Sequence, residues 1–330
     1  MDDTDSLLLN LLQQEVPASV HPFAELGQRL QITEDDVLSR TRVLKEQGII
    51  RQIGAIFDTR ALGYQSTLVA ALVDPAHLDE AAAVVAAHPG VSHLYARNHA
   101  YNLWFTLAVP PERDLGATAR GLAEAAGARG VLLLPALRVF KIGVRLDATG
   151  KRAPDAFEDE AGGSPAAVRP EWTPPTPWDR QLVRVCQEDL PLVPAPFAAW
   201  ADALGITQED LLGELGRLRQ EGRLRRVAAV LRHRQAGFAA NAMGVWVVPP
   251  DQVDKAGSIM AGFAAVSHCY ERPAYPPEWP YNLFTMVHGR SAEECEITLR
   301  AIADRTGIHD YLALYSTKEY KKKRLKYFID

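Results

Sequence analysis

Apolar residues in the first fifty positions recur at helical spacing: Leu8, Leu11 and Leu12, then Phe23, Leu26 and Leu30, then Val37, Leu38, Val43 and Leu44. Thr33 offers an N-cap for the third group and Gly48 a stop. Three short helices with a tight junction over Gln31 to Thr33, followed by a strand from Ile50 to Phe57, predict a winged helix-turn-helix. Beyond it the period alternates between strand and helix. The order is strand Thr67 to Val73, helix Pro75 to Ala87, strand Val91 to Arg97, strand Tyr101 to Val109, helix Arg113 to Ala126 and strand Val131 to Lys141. That βαββαβ order predicts a ferredoxin-like domain.

The whole pattern then occurs again. At an offset of 174, residues 5 to 56 align without a gap with 179 to 230, with 16 identities in 52 positions, among them Asp5/Asp179, Phe23/Phe197, Thr33/Thr207, Gly48/Gly222 and Arg51/Arg225. At offset 175, Val91-Ser92-His93 matches Val266-Ser267-His268, Tyr95 matches Tyr270 and Arg97 matches Arg272. After a five-residue insertion in the second copy, Tyr101-Asn102-Leu103 matches Tyr281-Asn282-Leu283 and Lys141 matches Lys321. Repeats of this length are a duplicated domain pair and not a solenoid. The second copy predicts strands Met243 to Val248, Val266 to Arg272, Tyr281 to His288 and Tyr311 to Tyr320, and helices Val253 to Phe263 and Ala292 to Thr306. The expected fold is therefore an α+β tandem duplication, each half a winged helix-turn-helix plus a ferredoxin-like domain. Residues 148–177, rich in Pro, Gly and acids, read as a linker. The domains are then 1–60 and 61–147, and 178–233 and 234–330.

Composition narrows the function. The chain has 330 residues, 47% hydrophobic and 23% charged, with a net charge of −5, which excludes a disordered chain and a purely electrostatic nucleic-acid binder. No apolar run is long enough to span a bilayer and the first residues are acidic where a secretory signal is basic, so a cytoplasmic protein with no membrane association is expected. Three scattered cysteines, Cys186, Cys269 and Cys295, form no metal or disulfide motif. DNA is an unfavourable partner, because residues 1–50 carry nine acids against four bases and the turn that would face bases is Thr33-Glu34-Asp35-Asp36.

Candidate chemistry lies on two strands. Side chains two apart share a strand face, so His93, Tyr95 and Arg97 project together, as do His268, Tyr270 and Arg272. Each row joins a proton-transfer group, a phenol and a fixed cation. Further cations, Arg51, Arg138 and Lys141 in the first copy and Arg225, Arg226, Lys318, Lys321 and Lys322 in the second, are expected to converge on the same sheet and suit a ligand with several carboxylates. Tyr101 and Tyr281 are candidate contacts beside them, whereas Trp104, Phe105, Phe140, Trp279 and Phe284 read as core first. The copies differ: the first has His99 where the second has Pro273-Ala274, and His288 has an apolar counterpart around Leu107 and Ala108. That difference, with the insertion, favours the second half as the active one.

The tandem architecture resembles the Lrp/AsnC regulators. With Gly48-Ile49-Ile50-Arg51-Gln52-Ile53-Gly54-Ala55 and Val266-Ser267-His268-Cys269-Tyr270-Glu271-Arg272-Pro273, it is similar more specifically to the siroheme decarboxylases, which occur as two related subunits or one fused chain. That resemblance implies removal of the C12 and C18 acetate carboxyls of siroheme as CO₂, giving 12,18-didecarboxysiroheme for heme or heme d1 biosynthesis. It implies no separate cofactor, since the iron arrives with the substrate, and an internal pseudo-dimer of the two halves, with a homodimer left open. Such chemistry needs carboxylate anchors, an electron sink in the macrocycle and a proton donor, for which histidine is better matched to neutral pH than tyrosine. Arg97 and Arg272 are expected to orient carboxylates, with His93 and His268 as general acids or as axial ligands of the substrate iron, roles that exclude each other. A heme-sensing or small-molecule-sensing regulator is the alternative.

Overall fold

The computed structural model describes residues 2–142, 173–231 and 240–329. The first half contains α1 (Asp3–Gln14), α2 (Pro22–Leu30), α3 (Glu34–Glu46), β1 (Ile50–Phe57), β2 (Gln65–Leu72), α4 (Leu78–Ala87), β3 (Val91–Arg97), β4 (Leu103–Val109), α5 (Leu115–Ala125), β5 (Gly130–Leu134) and β6 (Arg138–Ile142). The second contains α6 (Pro177–Cys186), α7 (Phe197–Leu204), α8 (Gln208–Gln220), β7 (Leu224–Leu231), β8 (Ala240–Trp246), α9 (Val253–Gly262), β9 (Val266–Glu271), β10 (Leu283–Gly289), α10 (Ala292–Thr306) and β11 (Tyr311–Lys322). Most of the expected linker, 148–172, lies outside the described residues, and its last residue, Pro177, already opens α6. Among the described residues no helix is long and apolar enough to cross a membrane.

Residues 2–64, 173–231 and 326–329 form one unit. Thr33 and Thr207 cap α3 and α8 through their hydroxyls, as the sequence predicts. Gln31 takes the left-handed conformation that turns the chain out of α2. Each wing strand pairs with the other copy's: β1 runs antiparallel to β7, with Gly54 opposite Ala228. A Cβ on Gly54 would stand 2.8 Å from the Glu188 carbonyl oxygen, which explains a glycine where the second copy has Ala228. The C-terminal residues belong here and not to the second ferredoxin-like domain. Tyr327 packs edge-on against Phe57 and Tyr64, and its backbone N–H donates to Gln187 Oε1.

Residues 65–142 and 240–325 form the other unit, a nine-stranded sheet in the order β5-β2-β4-β3-β11-β8-β10-β9-β6. The final strand of each half is shared. Tyr311 to Tyr315 of β11 pair with β8 of the same half, and Ser316 to Lys322 pair with β3 of the first half. Reciprocally, β5 pairs with its own β2 and β6 with β9 of the second half. The single strand expected from Val131 to Lys141 is therefore broken between Leu134 and Arg138, where Pro135 lacks the N–H a continuous ladder requires. Helices α4 and α5 cover one core on one face, with Val69, Leu94, Phe105 and Leu107, and α9 and α10 cover another with Trp246, Val266, Leu283 and Leu299. On the opposite face a third core mixes both halves, joining Ala70, Trp104 and Leu134 to Met243, Trp279, Phe284 and Leu314.

Two identities of the repeat find structural explanations. Asn102 and Asn282 each clamp a strand end: the Asn102 amide accepts from Val73 N (3.1 Å) and donates to its carbonyl (2.9 Å), and Asn282 does the same to Val248 (2.9 and 2.8 Å). Asp5 meets Arg40 at 2.8 Å, while Asp179, 1% exposed, meets Arg217 and Arg223, each at 2.6 Å. Burial pushes the Asp179 carboxyl up, but hydrogen bonds from Arg217 and Thr176 outweigh it and hold it down at about 2. A depressed carboxyl stabilises the fold fully above its unfolded pKa of about 4, and the contribution is lost as pH falls through about 2. Asp179→Ala leaves Arg223 buried without this partner and is expected to cost about 3–5 kcal/mol in urea unfolding at pH 7. Below pH 2 the difference from the unsubstituted protein should shrink toward zero.

Candidate active site

The two rows form on the helix-free face. In β3, Leu94 points into the helix-covered core, so its neighbours His93 and Tyr95 point to the other side. The His93 and Tyr95 rings stack with centroids 6.4 Å apart, and the Arg97 guanidinium lies 5.8 Å from the Tyr95 ring and 6.0 Å from Trp104. At β9, His268 and Tyr270 stack at 5.9 Å, with the Arg272 guanidinium 4.8 Å from Tyr270 and 5.5 Å from Phe284.

Each arginine ends its row at the crossing point of the exchanged strand. Arg97 Nη1 donates to the Leu314 carbonyl at 2.9 Å, and Arg272 Nη1 donates to that of Leu134. Among the described residues neither has a carboxylate partner, and the Nε of each is buried without a hydrogen-bond acceptor. Burial pulls both guanidinium groups down to about 10, with a small opposing effect from Tyr95 and Tyr270. A desolvated cation held only by carbonyls and ring faces is costly unless an anion completes it. Two such cations at equivalent positions are the strongest sign of a ligand carrying at least two carboxylates.

Trp279 lies at the middle of this face, fully buried, in ring contact with His99 (5.4 Å), Trp104 (5.4 Å), Tyr101 (6.3 Å) and Tyr281 (4.9 Å). The second-copy insertion places it there: Tyr275 and Trp279 exchange backbone hydrogen bonds of 2.6 and 2.8 Å, and the Tyr275 hydroxyl donates to the Leu133 carbonyl. Tyr101 and Tyr281 thus flank the same tryptophan. His99 accepts from Tyr101 N through Nδ1, and burial lowers its pKa.

Most of the other cations expected on this face are elsewhere. Register places Lys318 opposite Ala96 and Lys321 opposite Leu94, on the helix side, where Lys318 pairs with Asp79 and Lys321 donates to the carbonyls of Ala86 and His88. Lys141, opposite Cys269, donates to the Phe263 carbonyl, and Arg138 pairs with Glu271 and Asp254. Arg51, Arg225 and Arg226 stand on the ribbon of the other unit, with Arg225 held by Asp58 at 2.8 Å. Only Lys322 among the expected lysines of β11 shares a face with a row, opposite His93. The cause is the exchange of strands, which fixes the faces by a register that spacing within one copy does not reveal.

The same exchange adds residues not foreseen. These are Glu319, which stands beside Tyr95 next to the expected Lys322 at His93, and Val139 and Ile142, which stand beside Tyr270 and His268. Ile142 is 64% exposed and Val139 38%, so the second row has an apolar flank and the first a charged one. All three cysteines are buried, with thiol pKa values pushed up to about 12, 12 and 11 by burial, so they are poor nucleophiles.

Comparison with known proteins fits this geometry. Residues 61–141 and 235–321 match the AsnC-like ligand binding domain, and 5–51 and 179–225 match the siroheme decarboxylase NirDL-like HTH domain. The chain is 41% identical to the siroheme decarboxylase of Hydrogenobacter thermophilus over 98% of this chain and 94% of that protein. It belongs to the siroheme decarboxylase family. The siroheme decarboxylase beta subunit of Methanosarcina barkeri is 46% identical over 44% of this chain and 94% of its own length, as expected if one subunit corresponds to one half. A crystal structure of the siroheme decarboxylase NirDL in complex with an iron-uroporphyrin III analogue superimposes with a TM-score of 0.80 at 38% identity, covering 99% of this chain and 95% of that one.

Trp279 joins the two halves of this family fold through rings from both. Trp279→Ala is expected to destabilise the protein by about 3–5 kcal/mol in thermal or urea unfolding, and Trp279→Phe by clearly less.

Proposed function

We propose that the protein decarboxylates siroheme, converting its C12 and C18 acetate groups to methyl groups. The observation that carries this reading is the pair of buried, carboxylate-free arginines, Arg97 and Arg272, at the ends of equivalent His-Tyr-Arg rows in a siroheme decarboxylase family chain. Siroheme has the carboxylates such a pair lacks, and the flat macrocycle suits the ring-lined face and the apolar flank of Val139 and Ile142.

The chemistry balances without a separate cofactor. Each acetate loses CO₂ by cleavage of its CH₂–carboxylate bond, and the electron pair remains on the CH₂ carbon, delocalised into the macrocycle. That carbon then takes up one proton and becomes a methyl group, so two CO₂ leave and two protons are consumed. Arg97 and Arg272 hold carboxylates through charge-assisted hydrogen bonds. Burial, aided by the adjacent Arg272 charge, lowers the His268 pKa, so at neutral pH it is a neutral imidazole whose ring proton can be delivered to carbon. Iron enters and leaves with the substrate. The covalently joined halves supply the pairing that two subunits supply elsewhere, and the whole acts within the cytoplasm.

The regulator alternative gains no support from the helical unit. The first turn of α3 is Glu34-Asp35-Asp36, and Arg40 is tied to Asp2, Asp5 and Asp36. Such a surface repels phosphates. The protein is expected to show no salt-dependent retention of duplex DNA in a gel-shift titration.

Anaerobic incubation with siroheme and mass spectrometry of the extracted tetrapyrrole tests the function directly. Stepwise loss of one and then two CO₂ is expected; an unchanged mass with the tetrapyrrole still bound would refute the enzyme. Arg97→Met and Arg272→Met remove a buried cation while keeping bulk. Each is expected to weaken siroheme binding by about 10- to 100-fold, measured by Soret titration, with little loss of thermal stability. His268→Ala is expected to abolish turnover and keep the Soret shift on binding; loss of that shift instead would assign His268 to the iron.

A further inference from the structure

The two rows are not equivalent behind their histidines. In the first half, Ser92 Oγ lies 3.0 Å from His93 Nδ1, and the position corresponding to His288 is Ala108. In the second half, Ser267, 3% exposed, lies between two imidazoles: its Oγ is 2.8 Å from His268 Nδ1 and 2.7 Å from His288 Nε2. A third contact, to the Met286 carbonyl at 3.4 Å, is the longest. A register shift in β9 opposite Met286 and Val287 brings Ser267 between the rings, and His288 follows Phe284 and Met286 on the helix-free face of β10.

Resting on the decarboxylase reading, we propose that His288 is a positioning and proton-supplying residue, which feeds a proton through the Ser267 hydroxyl to His268 and makes the second half the site of substrate protonation. A neutral imidazole that gives its Nε2 proton to a carbanion is left as an imidazolate unless Nδ1 is protonated in the same event. The bridge supplies that proton. His268 Nε2–H breaks as the new C–H bond forms, Ser267 O–H breaks as His268 Nδ1–H forms, and His288 Nε2–H breaks as the serine hydroxyl is restored. The sum is one proton moved from a His288 imidazolium to the substrate carbon, with no change of oxidation state. Solvent then recharges His288, which is partly exposed. Ala108 stands in the first half where the second has His288, so this bridge of two imidazoles through one serine is a feature of the second half.

Several groups of the neighbouring strands face the pair. Opposite His268 stand Met286 on β10 and Ile142 on β6, with Tyr270 and Arg272 on its own strand; opposite His288 stands Asn241 on β8, with Arg290 two residues on.

The test compares variants of the full chain under single-turnover conditions with siroheme. His288→Ala is expected to lower the rate of CO₂ loss by about 100-fold while siroheme affinity and the bound Soret spectrum stay unchanged, and added imidazole is expected to restore much of the rate. Ser267→Ala is expected to be equally slow and not rescued by imidazole. His288→Gln keeps a hydrogen bond to Ser267 but no titrating proton, so it is expected to remain slow. Recovery of the full rate in His288→Gln, or a full rate in His288→Ala, would overturn the relay. Nitrogen-15 NMR of the imidazoles in the substrate-free protein separates this result from the enzyme reading. If the unsubstituted chain released no CO₂, the decarboxylase reading would fall, while loss of coupling between the His268 and His288 titrations in Ser267→Ala would still support the hydrogen-bonded relay. Unchanged titrations in Ser267→Ala would overturn it in either case.

Discussion

The exchange of the last strand between the two ferredoxin-like halves is the constraint on which the site depends. Within its own half, β3 would be the edge of β5-β2-β4-β3, and β9 the edge of β11-β8-β10-β9. An edge presents unpaired backbone groups and an exposed row of side chains. The incoming β11 covers the edge of β3, and β6 covers that of β9, so both chemical rows stand on interior strands. Arg97 and Arg272 stand at the crossings, where they donate to Leu314 and Leu134, each a residue of the other half. The residues that would bind carboxylates therefore also mark where the halves interlock.

Fusing two copies in one chain relaxes the identity that a symmetric dimer imposes. The flank of one row carries Glu319 and Lys322 and that of the other Val139 and Ile142. Trp279 comes from an insertion present in one copy and fills a core shared by both. Two equivalent arginines with unequal surroundings suit a substrate that offers similar carboxylates at different positions on an asymmetric ring. Among the described residues the buried guanidinium groups have no compensating carboxylate, and ring faces and carbonyls offset only part of their desolvation. That residual cost is what an anionic ligand relieves.

Much of this was legible in the sequence, and the limits have physical causes. The duplication, the helix caps at Thr33 and Thr207 and the alternation that puts His, Tyr and Arg on one face follow from local spacing, and local spacing is what a repeat preserves. The pairing of β1 with β7 and of β6 with β9 joins residues far apart in the chain, and no periodicity encodes a partner. For that reason spacing alone places Lys318, Lys321, Lys141 and Arg138 on the site face, whereas register turns them to the helices. Ser92 and Ser267 precede each histidine in the sequence, but strict alternation would send them to the opposite face. The register shifts beside them bring each hydroxyl to its imidazole.

The most direct measurement of the central claim is a crystal structure of this chain with bound siroheme. The account predicts substrate carboxylates within hydrogen-bond distance of the Nε atoms of Arg97 and Arg272, with the macrocycle against the helix-free face. A macrocycle bound elsewhere, with both arginines still held by Leu314 and Leu134 and no carboxylate at either Nε, would contradict it.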